Sequence, residues 1–115
     1  MAPLVSLTQV NDGLRLDLAG DAPGFGADER TPDILLKIKQ AEDICLDFVQ
    51  PKPDPAWTAQ DAPGQVTAAI IITVKCLLDD SDDSLAMISG LSGVNVDQRN
   101  PIAALLWRLR KPSMA

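Results

Sequence analysis

Histidine is absent from this chain of 115 residues, and so is tyrosine. The lack of histidine removes the commonest general base and the commonest metal ligand in proteins. The sequence also contains no G-x-S-x-G motif, which would mark a nucleophilic serine. These absences predict that the protein is not an enzyme and that it uses no metal or cofactor.

Cysteine is scarce, and no hydrophobic run is long. Cys45 and Cys76 lie far apart, each within an apolar helical pattern. Two cysteines would permit a disulfide, but nothing indicates an oxidising compartment. We therefore expect two buried thiols.

The first residues lack the pattern of a secretion signal. The most apolar run, from Val66 to Leu78, has 13 residues, whereas a membrane span needs about 20. We expect no membrane contact, and a location in the cytosol or in a particle assembled there.

Basic residues are in the minority, and the two signs of charge are unevenly distributed. Residues 1–98 contain all sixteen acids and six of the ten bases, a net charge of −10, whereas residues 99–115 contain four bases and no acid. The acidic part argues against specific nucleic-acid binding, because phosphate contacts require clustered Lys and Arg. The C-terminal bases are Arg99, Arg108, Arg110 and Lys111. They suit an acidic protein surface, and the last three also suit the negative end of a helix, so that either interpretation or both can hold.

The clearest helical pattern begins at Thr31, a suitable N-cap that is followed by Pro32. It must end near Gln50, because the sequence PKPDP follows and proline cannot continue a helix. Apolar residues recur at steps of three and four, which predicts one buried face. That face comprises Ile34, Ile38, Ala41, Cys45 and Phe48, widened by Leu35, Leu46 and Val49.

Two further segments have helical spacing with a strand as the alternative. The segment from about residue 63 to Asp79 is apolar on nearly all sides, which is typical of a helix in the middle of a bundle, although the β-branched run from Ile70 to Val74 also suits a buried strand. Residues 6–18 have weaker helical spacing, and leucines 14, 16 and 18 also alternate as they would in a strand.

Three connections separate these segments. Residues 19–30 contain Gly24 and Gly26, but Glu29 replaces the third glycine of a dinucleotide fingerprint, so a flexible loop is predicted. The proline-rich residues 51–65 contain Trp57, which we expect to cover an edge of the core or, alternatively, to anchor a partner. Residues 85–99 are predicted to be irregular, with a short extended segment around Val94 and Val96.

An acidic cluster occupies residues 79–84. Its spacing fails the calcium-loop pattern, because glycine is missing from the sixth position and glutamate from the twelfth. A solvated acidic turn that ends the preceding helix is therefore predicted. Its four acids are Asp79, Asp80, Asp82 and Asp83.

The final helix is predicted to begin with Asn100 as the cap and Pro101 in the first turn. Ile102, Leu105, Leu106 and Leu109 form its inward stripe. Trp107 lies away from that stripe and next to Arg108, a combination that is typical of anchors at protein interfaces. The alternative is that Trp107 packs under the 51–65 connection.

These patterns predict an all-α fold: a small bundle of about four helices with long irregular connections and a C-terminal helix and tail. We divide the chain into a helical body, residues 1–98, and a basic helix and tail, residues 99–115, which is the expected docking segment.

The order of these parts resembles the head–tail connector proteins of tailed phages, also called head-completion or adaptor proteins. A short first helix ends in Leu14 to Asp17, a long helix ends at a proline break near a tryptophan, and an apolar helix begins after a proline–glycine pair. An irregular stretch then leads to the closing N-P-x-x-A-L-L-x-x-L-R segment, from Asn100 to Arg110. The resemblance covers essentially the whole chain and rests on this layout.

The resemblance implies a homo-oligomeric ring, usually of twelve copies, beneath the portal in the neck of the virion. Such a ring extends the DNA channel and binds the tail or a stopper protein, and its C-terminal segment reaches into the portal. The expected portal contacts are then Trp107, Arg108, Arg110 and Lys111, and acids of the 79–83 cluster are candidates to line the channel. A small regulatory protein, antitoxin-like or associated with transcription, is the alternative.

Overall fold

The computed structural model describes residues 4–22, 24–49, 62–79, 81–92 and 99–107. Within these residues the secondary structure is entirely helical, which confirms the predicted all-α bundle. The described ranges contain five α-helices and a short 3-10 turn. Their bounds are α1 Leu7–Leu14, α2 Thr31–Val49, α3 Gly64–Asp79, α4 Asp82–Ser89, the 3-10 turn Gly90–Ser92 and α5 Pro101–Leu106.

Helix α3 lies at the centre of the bundle and packs against each of the other four helices. Its buried residues are apolar except for Thr73, whose hydroxyl donates to the Ala69 carbonyl at 2.8 Å within the same helix. This back-bond satisfies the hydroxyl in an apolar interior, where an unpaired polar group would be costly. The helical prediction for this segment is confirmed, and the strand alternative for Ile70 to Val74 is wrong.

Helix α2 supplies the second half of the core. All five residues of its predicted stripe are buried, and so are Leu46 and Val49. Leu35, which was expected to widen the buried face, is instead 50% exposed, and its neighbour Leu36 is exposed to the same extent. Leu35 shares its side of α2 with Glu42 and Leu46, which are buried farther along the helix; the described residues leave that side open only near the start of α2.

Helix α1 is shorter than predicted. Ser6 and Gln9 form a capping box at its start, and Arg15 ends it in the left-handed conformation, at φ 55°. The chain then turns back: the Leu16 amide donates to the Asn11 carbonyl and the Leu18 amide to the Asn11 side chain. Leu18 is buried as expected, but through this turn rather than through a continued helix.

The loop over residues 19–30 is tied down, which differs from the flexible loop that its composition predicted. Asp28 accepts hydrogen bonds from the amides of Ala19 and Arg30 and from the Arg30 guanidinium. The same guanidinium donates to the Leu16 carbonyl at 2.9 Å. Phe25, at φ 47°, is buried against the core, and its carbonyl accepts from Thr31 at the start of α2. The composition of the loop did not predict these hydrogen bonds to the backbone or the burial of Phe25.

The sequence predicted an acidic turn at residues 79–84 and irregular chain from residue 85 onward. Both predictions are wrong where helix α4 forms. Ser81 caps a new helix by accepting from the Ser84 amide at 3.1 Å. Asp82 and Asp83 occupy its first turn, where carboxylates favour the positive end of the helix dipole. The serine–aspartate run is therefore the start of a helix. The sequence feature that could have predicted this start is the serine that precedes two acids. Val94 and Val96 lie outside the described residues.

Candidate functional site

The start of helix α5 is fixed by one side chain, Asn100. Its carbonyl oxygen Oδ1 accepts from the amides of Ile102 and Ala103, as predicted for a cap. Its Nδ2 also donates to the Met87 carbonyl of α4 at 2.7 Å. This amide therefore joins the beginning of α5 to the last turn of α4, and it sets the direction in which α5 leaves the body.

Helix α5 packs against α3 and α2. Ile102, Ala103 and Leu106 are fully buried, and Leu105 is half-buried. The predicted inward stripe is thus confirmed up to Leu106, while Leu109 lies outside the described residues. Because Leu106 in the last turn is still fully buried, α5 remains packed on the body up to its C-terminal end.

Trp107 follows directly after this buried stripe and remains 38% exposed. Its ring meets that of buried Phe48 in α2, with centroids 6.4 Å apart and planes tilted by 44°. Such tilted pairs are worth about 0.5–1.5 kcal/mol beyond the area they bury. One part of the indole therefore packs against the body, and the other part is exposed to solvent.

A surface depression of about 230 Å³ shares Phe48 with this aromatic pair. It lies between α2 and the end of α4, and its lining is mostly apolar. The lining residues are Ile44, Asp47, Phe48, Ile88, Ser89 and Leu91. We call Trp107 together with this depression the Trp107 face. An exposed tryptophan beside an apolar hollow is the kind of surface that a protein partner covers.

The remaining residues of the expected docking segment, Arg108, Arg110 and Lys111, lie outside the described residues, as does Trp57. Their contacts therefore stay predictions. Arg99, at the opposite end of α5, is exposed.

The acids of the 79–83 cluster are separated by the fold. Asp79 ends α3, where its Oδ2 accepts the hydroxyls of Ser81 at 2.8 Å and Ser84 at 2.7 Å. These two hydrogen bonds, with nearby Lys75, lower the pKa of Asp79 below its ordinary value. Asp82 and Asp83 are exposed in the first turn of α4. Asp80 lies outside the described residues.

Both thiols are buried and unbonded to each other, as predicted. The Cys45 sulfur lies 3.3 Å from the Thr73 hydroxyl, and burial raises the pKa of this thiol to about 11. The Cys76 thiol lies 3.8 Å from the sulfur of Met87, and burial raises its pKa as well. A thiol with a raised pKa is a poor nucleophile, because only the thiolate attacks.

Glu42 is a buried carboxylate that the sequence reading missed. It is only 7% exposed, and its Oε1 accepts from the backbone amides of Leu4 at 2.6 Å and Val5 at 3.2 Å. Burial raises the pKa of Glu42, and the two hydrogen bonds act in the opposite direction. Glu42 lies between buried Ala41 and Cys45 on α2, so its position within the apolar stripe was the available signal.

No group of three or more carboxylate or thiol side chains is placed to hold a metal ion, as far as the described residues extend. Over the same ranges, none of the helices combines the length and the apolarity needed to cross a membrane.

Comparison with protein-family models, with curated proteins and with solved structures finds no match. The functional argument therefore rests on the geometry of this chain.

Proposed function

We propose that this protein is a structural adaptor of the head–tail connector class, a subunit that docks onto a portal and gives the tail or a stopper protein its attachment surface. The observation that carries the proposal is the Trp107 face: a tryptophan that packs against Phe48 and remains 38% exposed, beside an apolar hollow. The all-α fold is the class that the resemblance implies, whereas α4 occupies part of the stretch that the resemblance treats as irregular.

The chemistry of the partner follows from the surroundings of Trp107. The residues immediately after it include Arg108, Arg110 and Lys111 without any acid. A partner that matches this end of the chain offers an acidic surface for the bases and an apolar element for the hollow. Aromatic and arginine side chains together carry much of the binding energy at such contacts. In the connector class that partner is the portal, and the copies form a ring of about twelve.

A structural role is also consistent with what surrounds the other reactive groups. The two thiols have raised pKa values, and Glu42 is occupied with the backbone of the N-terminal segment. None of these groups lines the Trp107 face. The face is therefore suited to contact rather than to chemistry.

The test of this proposal locates the protein and then removes its anchor. Electron microscopy of particles from the source organism, with the chain tagged at its N-terminus, should show it as a ring between portal and tail. Trp107→Ala should weaken binding to the purified portal by at least about 2 kcal/mol, because a central aromatic anchor is lost. Urea unfolding of the same variant should change by less than this.

The matched control is Leu36→Ala, which truncates an apolar side chain that is also exposed, at 50%, but lies on α2, outside the Trp107 face. Its portal binding should equal that of the wild type. If the tagged protein is missing from every particle and the isolated protein binds duplex DNA at physiological salt, the proposal is wrong and the regulatory alternative replaces it.

The acids near the start of α4 add a proposal about the channel. Negative side chains on a channel wall repel DNA phosphates at short range, and salt screens the effect beyond about 10 Å. We expect Asp83→Lys to slow DNA ejection from particles, whereas Asp83→Asn should have a smaller effect. Equal ejection rates for Asp83→Lys and wild-type particles, at low as well as moderate salt, would show that Asp83 does not line the channel.

A further inference from the structure

A second depression, on the side of the bundle formed by α1 and α3, is lined by both basic and apolar residues. Its volume is about 430 Å³, and we call it the Arg15 groove. The chain forms it where α1 ends and turns back beside the last two turns of α3. Its lining residues are Gly13, Leu14, Arg15, Leu16, Lys75, Leu78 and Asp79.

Two bases, Arg15 and Lys75, outnumber the one acid, Asp79, in the lining of this groove, and Asp79 lies near enough to Lys75 for their charges to interact. Arg30 is paired with Asp28 and Lys37 with Asp33, but neither Arg15 nor Lys75 forms an ion pair with a carboxylate among the described residues. Asp79 also lines the groove, yet its Oδ2 is engaged by the hydroxyls of Ser81 and Ser84. In a body with a net charge of −10 over residues 1–98, this is a local site for an anion.

The same molecule offers a surface of opposite charge and matching apolar character. Helix α4 contains no fully buried residue. Its half-buried side holds Met87, in contact with Cys76 of α3, whereas the opposite side exposes a stripe with one acid and one leucine. This α4 stripe comprises Asp82, Leu85 and Ala86, and Leu85 is 42% exposed. Residues three and four apart share a helix face, so the acid and the leucine are presented together.

We infer that the α4 stripe of one copy docks into the Arg15 groove of a second copy. Asp82 meets Arg15 and Lys75, while Leu85 covers the leucines of the groove wall. Complementary charge fixes the register, and the burial of Leu85 with Leu14, Leu16 and Leu78 supplies the apolar contribution. Asp82 then faces a neighbouring copy, which leaves Asp83 as the channel candidate.

This inference concerns contact between copies and does not depend on the head–tail assignment. It involves none of the residues of the Trp107 face. A failure of portal binding and a failure of self-association are therefore separate results, measured on separate variants.

The experiment is sedimentation of the full-length protein up to a concentration of about 1 mM, between about 0.05 and 0.5 M salt. The wild type should associate at low salt, and less so at high salt. Lys75→Glu and Asp82→Lys should each weaken self-association at least about tenfold, because each places like charges together. Leu85→Ala should weaken it without removing the salt dependence.

Mixing the two charge variants provides the decisive measurement. Lys75→Glu protein and Asp82→Lys protein should associate with each other, because the unaltered Asp82 of the first variant meets the unaltered Arg15 and Lys75 of the second. The matched controls are Lys39→Glu and Asp43→Lys, which make the same charge changes at exposed positions on α2. These should associate as the wild type does.

Two outcomes would overturn the inference. A wild type that remains monomeric throughout the concentration range at low salt has no such contact. Association that persists in Lys75→Glu, or a mixture of charge variants that stays dissociated while each variant keeps the wild-type circular dichroism spectrum and urea midpoint, shows that copies meet elsewhere.

Discussion

At the scale of single residues, Glu42 shows how a polar side chain can organise an apolar core. It holds the backbone amides of Leu4 and Val5, whose side chains are almost completely buried. Without an acceptor, those amides would lack partners, and each buried unsatisfied group costs about 1–3 kcal/mol. One carboxylate on α2 therefore fixes the segment that leads into α1.

Glu42 also predicts a pH dependence of stability. Its pKa in the folded protein is raised above the ordinary 4.5, mainly by burial, so folding favours the protonated form. The stabilisation that protonated Glu42 contributes is fully present below pH 4.5. It is lost as the pH rises through the pKa that Glu42 has in the folded protein. Asp28 and Asp79, whose pKa values are lowered below 3.8, remain ionised throughout this window.

The variant that tests this is Glu42→Gln, which keeps a carbonyl acceptor but cannot ionise. Its free energy of unfolding in urea, relative to that of the wild type, should increase between about pH 4.5 and pH 7.5. Glu29→Gln, the same change in an exposed loop residue, serves as the control and should follow the wild type. An unchanging difference between Glu42→Gln and the wild type across this range would contradict the prediction.

At the scale of elements, three of the described helices, α1, α4 and α5, begin with a short-range hydrogen bond from the backbone to a side chain. Ser6, Ser81 and Asn100 each accept backbone amides at the start of a helix. The cap at Asn100 was predicted from its position before proline. The cap at Ser81 was missed because the surrounding acids suggested a solvated turn. Local chemistry was readable in both cases, but two acids after a serine suit either a turn or a helix start.

Asn100 has a second role that its sequence position did not indicate, because its Nδ2 reaches Met87 of α4. Asn100→Ala should cost about 1–2 kcal/mol for the cap and about 1 kcal/mol more for the lost link. Asn100→Asp keeps the capping acceptor but loses the donor to Met87, so it should recover only the capping part. Urea unfolding measures the total loss in each variant.

The comparison of those two variants distinguishes the roles of Asn100. If Asn100→Asp is as stable as the wild type, the link to Met87 contributes nothing measurable. Amide hydrogen exchange in α5 gives an independent check, since loss of the link should increase exchange there more than in α2.

At the scale of the whole molecule, two surfaces lie on different parts of one small bundle. The Trp107 face is formed by α2, the end of α4 and the residue after α5. The Arg15 groove is formed by α1 and α3. The separation allows a subunit to contact a different protein and its own copies at once, as a ring-forming adaptor must. Trp107→Ala and Lys75→Glu are accordingly expected to affect different assembly steps.

The sequence by itself determined the helical class, most of the buried face of α2, the central position of α3, the burial of both thiols and the cap of α5. These features depend on periodicity and on neighbours within about one helical turn, which are properties of the local chain. The tertiary structure alone decided the partners of Glu42, the anchoring of the 19–30 loop, the contact of Trp107 with Phe48 and the lining of the Arg15 groove. Each of these joins residues far apart in the sequence, and the way that the helices pack decides which of them meet.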